Sequence, residues 1–140
     1  MDQRIVTPYR VLRIGLGLGA LTAGIDKFFD KLADWGMYLS PLATRVVPIS
    51  ADTFMRIVGV IEIIVGLAIL AGVSRIGGYV MMFWLLGIAA NLVTTGMFYD
   101  LAVRDVEIAL GAFVLWQLSI ARERRTAGGG DAEAAKLEVA

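Results

Sequence analysis

The sequence predicts an all-α fold, a bundle of four transmembrane helices, and three observations predict it. Hydrophobic residues fill 58% of the 140 positions, more than a small soluble domain carries, because such a domain has a large surface to cover with polar groups. Only 19% of the residues are charged, and most of these sit at the ends of apolar runs. One run, Ile76 to Tyr99, is 24 residues long without a charge; at about 1.5 Å per residue it exceeds the roughly 30 Å hydrocarbon thickness of a bilayer. A lipid bilayer is the expected solvent.

The expected spans are about 9–29, 54–73, 76–97 and 101–121. The first has only 12 uncharged residues, Ile14 to Ile25; Arg10 and Arg13 snorkel at one end, and Phe28 and Phe29 extend the other. A longer connection, Asp30 to Asp52, mixes Trp35, Tyr38, Pro41 and Pro48 with charges, as a partly helical interfacial loop does. The second span is interrupted by Glu62, and Val73-Ser74-Arg75 forms a tight hairpin to the third. The chain turns again around Gly96 to Asp100, and the fourth span contains Arg104, Asp105 and Glu107. After Arg125 comes Thr126-Ala-Gly-Gly-Gly130, so residues 122–140 are expected to form a flexible cytoplasmic tail without a fold of its own.

Four spans put both termini on one side. That side would carry Arg4, Arg10, Arg13, Arg75, Arg122, Arg124 and Arg125, whereas Lys27, Lys31, Arg45, Arg56 and Arg104 opposite are diluted by six aspartates. The bias places both termini in the cytoplasm, in an inner membrane of bacterial type. A cleaved signal peptide is the competing reading of the first span; its Gly-rich, weakly apolar core and the three-helix remnant it would leave count against it.

Thirteen basic and thirteen acidic residues cancel, which argues against nucleic acid as a partner. Cys and His are both absent, so thiol chemistry and imidazole proton transfer are excluded, as is the commonest metal ligand. No metal is expected.

An internal echo links the two halves. Thr22-Ala-Gly-Ile-Asp-Lys-Phe-Phe-Asp30 resembles Thr94-Thr-Gly-Met-Phe-Tyr-Asp100, and Glu62-Ile-Ile-Val-Gly66 resembles Glu107-Ile-Ala-Leu-Gly111. Two parallel helical-hairpin repeats would produce it; the limited alphabet of apolar helices is the other explanation. If the echo is structural, Glu62 and Glu107 face each other at similar depth. Arg104 and Glu107 stand at i and i+3 and can pair, Lys27 can neutralise Glu62, and Asn91 adds a neutral hydrogen-bonding group. The candidate site is therefore Asp26, Lys27, Glu62, Asn91, Arg104 and Glu107, a polar pocket within the bundle. Its alternative is a set of buried pairs that fix helix register without chemistry. Gly15-x-x-x-Gly19 and Ala20-x-x-x-Gly24 favour close packing within the bundle, or homodimerisation. Trp35, Trp84 and Trp116 are expected to anchor at the interface or to pack.

Gly24-Ile-Asp-Lys-Phe28, Gly59-Val-Ile-Glu62-Ile-Ile-Val-Gly66, Gly72-Val-Ser-Arg75-Ile-Gly77 and Arg104-Asp-Val-Glu-Ile-Ala-Leu110-Gly, in that order, resemble DoxX-family membrane proteins over most of residues 8 to 121. These are small four-helix bacterial and archaeal proteins. The resemblance implies a four-helix transmembrane bundle linked to membrane redox chemistry: relatives include a subunit of quinone-linked thiosulfate oxidation and members of oxidative-stress complexes, and many others have no assigned activity. Quinone is the cofactor it implies, and a soluble or membrane redox protein the partner. Thiol chemistry does not carry over to a chain without Cys. Three readings follow: a quinone-interacting redox subunit, a non-catalytic scaffold or assembly partner, and a carrier of protons or a small solute. The apolar inner halves of spans two to four count against the third, and whether the chain is an enzyme is left open.

Overall fold

A computed structural model describes residues 3–138, and the side chains of residues 3–129. The described residues are helical with no strand: α1 (Gln3–Asp26), a 3-10 turn (Trp35–Tyr38), α2 (Pro41–Val46), α3 (Ala51–Leu70), α4 (Ser74–Thr94) and α5 (Tyr99–Glu138). Local chemistry starts and stops these helices. Ser40 accepts a hydrogen bond from Leu42 N with Pro41 in the first turn of α2, and Ser50 accepts one from Thr53 N at the start of α3. Gly72, at φ 98°, ends α3 in a left-handed turn in which Val73 N donates to Ala68 O. Gly96, at φ 73°, does the same after α4.

The four long helices pair as two antiparallel hairpins, α1 with α3 and α4 with α5. Each hairpin buries a stripe at spacings of three and four. In α3 the stripe is Met55, Gly59, Glu62, Gly66 and Ile69; in α5 it includes Ala102, Asp105, Ala109, Ala112 and Ser119. α1 and α3 approach most closely at Gly24 against Gly59 and at Gly17 against Gly66. A Cβ on Gly59 would stand 2.7 Å from Gly24 O, and one on Gly66 would stand 2.8 Å from Gly17 O. The hairpins meet at the α3–α4 turn in a core of Tyr9, Ile69, Met81, Ala112 and Leu115. A second core, Ala89, Leu92 and Ala102 with Tyr38 and Phe98 against it, lies at the other end.

The outward faces are apolar. Ile64 is 60% and Leu110 61% exposed, and Ile14, Ile57, Ile76, Phe83 and Val103 are comparable. α3 and α4 are long and apolar enough to cross a membrane; α1 and α5 do not meet that measure, because Arg4, Arg10 and Arg13 interrupt the first and Arg104, Asp105 and Glu107 the second.

Two expectations change. α1 begins at Gln3 and ends at Asp26 rather than spanning 9–29; Pro8 lies near its start, where its missing N–H removes only one hydrogen bond. The segment 122–140, expected to lack a fold, continues α5 through Glu138, with its last two residues outside the described part. Extending an existing helix avoids the cost of nucleation, and the Ala, Glu, Lys and Leu after the glycines are strong helix formers. Arg75 Nη1 also donates to Glu123 Oε2 at 2.8 Å, tying this extension to α4.

The glycine crossing predicts a sharp contrast between positions. Gly59→Ala should lower stability by about 1–3 kcal/mol, because its Cβ meets backbone. Gly19→Ala, with nothing within 4 Å of its Cβ, should be neutral or stabilising by about 0.5–1 kcal/mol through helix propensity. Thermal unfolding of the purified variants measures both.

Candidate functional site

The close crossing of α1 and α3 builds the site. Lys27 follows directly on α1, and its Cβ lies 3.1 Å from the Cβ position of Gly59. From there the side chain spans the turn to Glu62, where Nζ donates to Oε2 at 2.6 Å. Lys27 is 5% and Glu62 8% exposed. Nζ also sits 3.7 Å from the centroid of the Trp35 ring, so one ammonium is held by a carboxylate and an aromatic face together.

Asp26 puts Trp35 there. Its carboxylate accepts hydrogen bonds from Lys31 N at 3.0 Å, Leu32 N at 2.9 Å and Trp35 Nε1 at 2.8 Å. Asp26 therefore folds the chain back after α1 and aims the indole over Lys27. Asn91 performs the same service from α4: Oδ1 accepts from Ser40 N at 3.0 Å and Nδ2 donates to Tyr38 O at 2.7 Å. Thr94 Oγ1 adds a bond to the buried Ser40 Oγ at 2.9 Å. The connection between α1 and α3 is thus pinned over one end of the bundle.

α5 supplies a different acid from the one expected. Glu107 is exposed and makes no ion pair among the described residues, whereas Asp105 is buried. Arg104 pairs with Asp105, Nη2 to Oδ1 at 3.1 Å, rather than with Glu107. The cause is helical phase: Asp105 falls on the stripe with Ala102, Ala109 and Ala112, and a residue two positions on points about 200° away. Glu62 and Glu107 do not face each other. Gly66 lies against α1 while a Cβ on Gly111 would only touch Leu12 at 3.8 Å, and Gly24 packs on α3 while Gly96 forms a turn. The two hairpins pair alike, but the echoed letters hold different places in them. The small α5 stripe around Asp105 was the signal that finds this acid.

Between the two cores lies a cavity of about 910 Å³. Lys27, Glu62, Arg104 and Asp105 are its charged lining, and most of the rest is apolar. Gly15, Gly19 and Gly87 border it with nothing within 4 Å of their Cβ positions, so Gly15-x-x-x-Gly19 does not pack closely within the chain; Gly24 of the second expected motif does, and Gly17 joins it. Trp84 also lines the cavity, and its Nε1 is buried without a hydrogen-bond partner although the indole lies beside Glu62.

No family model, curated protein or solved structure matches this chain.

Among the described residues no three His, Cys, Asp or Glu side chains could hold a metal ion. The cavity offers instead an apolar body, a charge-balanced polar end and one buried indole N–H beside the Glu62 carboxylate. Such a donor suits a ligand with a carbonyl oxygen.

The buried pair makes a signed prediction. Lys27→Met leaves Glu62 without its counter-charge and should cost about 3–5 kcal/mol, whereas adding Glu62→Leu to it should recover most of that loss. Thermal unfolding of the single and double variants decides whether the two residues act as a pair.

Proposed function

We propose that this chain is an integral inner-membrane protein of DoxX-like type, a four-helix transmembrane bundle with both termini in the cytoplasm. In this reading its central cavity takes a quinone headgroup and the bundle serves a soluble or membrane redox partner. The observation that carries the reading is polarity turned inside out. The charges of Lys27, Glu62 and Asp105 are buried around the cavity, while large aliphatic side chains cover the outward faces. In water such a surface invites association; in a bilayer it is solvated, and charged groups turn to the bundle interior.

A quinone suits the lining. Its carbonyl oxygens are acceptors for the Trp84 indole N–H, and the glycine-bordered body has room for an apolar tail. The volume falls within the roughly 300–1,000 Å³ usual for small-molecule sites. Trp84 would donate to a headgroup carbonyl, and Glu62, held in place by Lys27, would accept from a hydroxyl of the reduced quinol form. A bound quinone would supply electron-carrier chemistry, and the residues of this chain bind it, orient it and exclude water.

One observation favours the scaffold reading. Asp26, Lys27, Glu62 and Asn91 already have partners within the chain, as structural polar groups do. The carrier reading is disfavoured by the largely apolar core at the α3–α4 end.

Quinone binding is tested by tryptophan fluorescence of the purified protein titrated with a short-chain quinone. Quenching is expected, its Trp84 component should vanish in Trp84→Phe, and Gly87→Phe, which fills open space, should weaken binding about ten-fold or more. Glu62→Gln, which removes the counter-charge that holds Lys27 at this end of the cavity, should weaken it as well. Equal binding by Gly87→Phe and wild type, or native preparations that carry a partner protein but no quinone, would favour the scaffold.

A further inference from the structure

At the end of the molecule opposite Lys27, the start of α1, the α3–α4 turn and the extension of α5 enclose a second cavity of about 420 Å³. Tyr9, Gly72, Arg75, Ser119, Arg122 and Glu123 line it. Tyr9 is buried and its hydroxyl donates to Ser74 Oγ at 3.0 Å. Two guanidiniums flank this one ring: Arg122, in the pocket lining, with Cζ 4.8 Å from the centroid, and Arg13, beside the lining, with Cζ 6.0 Å away. Neither has a carboxylate within 4.0 Å among the described residues, because the acid in the pocket, Glu123, is held by Arg75 at 2.8 Å. The Nε of Arg13 is buried with no hydrogen-bond partner, and a Cβ on Gly72 would approach its Nη1 to 3.9 Å.

Two like charges are drawn to one tyrosine, one of them with a buried donor that has no partner among the described residues. Guanidiniums recognise tetrahedral oxyanions through paired charge-assisted hydrogen bonds. Val11, Val73 and Ile76, adjacent in sequence to residues of this region, are exposed and apolar. We propose that this pocket binds the phosphate of an anionic phospholipid headgroup, its acyl chains lying along the outer faces of α1 and α4. The phosphate chemistry stands on the arginines alone; the lipid as its source rests on the membrane reading, in which this is the cytoplasmic, arginine-rich end where anionic lipids concentrate.

The test is native mass spectrometry of the full chain in a neutral detergent, titrated with phosphatidylglycerol or phosphatidylcholine, with inorganic phosphate as a third arm read by thermal unfolding. Phosphatidylglycerol adducts should exceed phosphatidylcholine adducts. Arg13→Gln and Arg122→Gln should each reduce them about five-fold, while Arg124→Gln, exposed on the same extension, should reduce them less. Equal adducts from the two lipids, with stabilisation by inorganic phosphate that the double arginine variant loses, would overturn the lipid source. Wild-type lipid adducts and phosphate response in a folded double variant would overturn the site. A chain that stays dispersed without detergent fails the membrane reading instead, and the phosphate arm still decides the site.

Discussion

Because neither Gly24 nor Gly59 carries a side chain, α1 and α3 meet backbone to backbone, and the positions of the other functional groups follow from that crossing. It sets the end of α1 against α3 so that Lys27 reaches Glu62 at 2.6 Å. A second contact seven residues away in each helix, Gly17 with Gly66, fixes the same antiparallel register. With the register held, the turn after Asp26 has one place to go, and the Asp26 carboxylate brings Trp35 over the ammonium. A wider approach at Gly59 would separate a buried lysine from a buried glutamate, the least tolerable outcome for two desolvated charges.

The two hairpins differ in what their interiors are made of. α1 and α3 join through glycine and a charge pair; α4 and α5 join through glycine and alanine, with Gly78 against the backbone of Ala112 and Trp116. Between them the molecule packs Ile69, Met81, Ala112 and Leu115 together toward the α3–α4 turn and leaves the larger cavity toward Lys27. Space at Gly15, Gly19 and Gly87 is therefore a property of the cavity rather than of a helix interface. Its polar end combines balanced charge with the buried indole N–H of Trp84, and the arginine pocket at the far end has the reverse character, with Arg75, Arg122 and the neighbouring Arg13 set against Glu123. One end suits a neutral, carbonyl-bearing ligand and the other an anion.

Much of this was legible from composition. Lys27 and Glu62 are opposite charges beside apolar runs, and burial leaves such groups little choice but each other. Asp105 was not legible from the echo, because Glu107-Ile-Ala-Leu-Gly111 matches Glu62-Ile-Ile-Val-Gly66 in letters while the facing of a helix is set by its whole buried stripe. Asn91 and Asp26 were visible as polar groups near the site, but their hydrogen bonds run to the connecting loop. Those partners lie as many as 53 residues away, and no local pattern names them. The extension of α5 was hidden by three glycines, which weaken a helix without ending it when helix formers follow.

The sequence by itself determined that the chain is helical, placed α3 and α4 to within three residues together with the turns on either side of α4, and indicated that its few charges would be gathered rather than scattered. Periodicity, capping residues and the cost of burying unpaired charge are local or general enough to act without knowledge of neighbours. Only the tertiary structure decided which acid of α5 turns inward, which glycines touch and which border a cavity, and that two arginines share one tyrosine. Each depends on helix rotation and on contacts between distant segments, set by packing and not by the residues at the position itself.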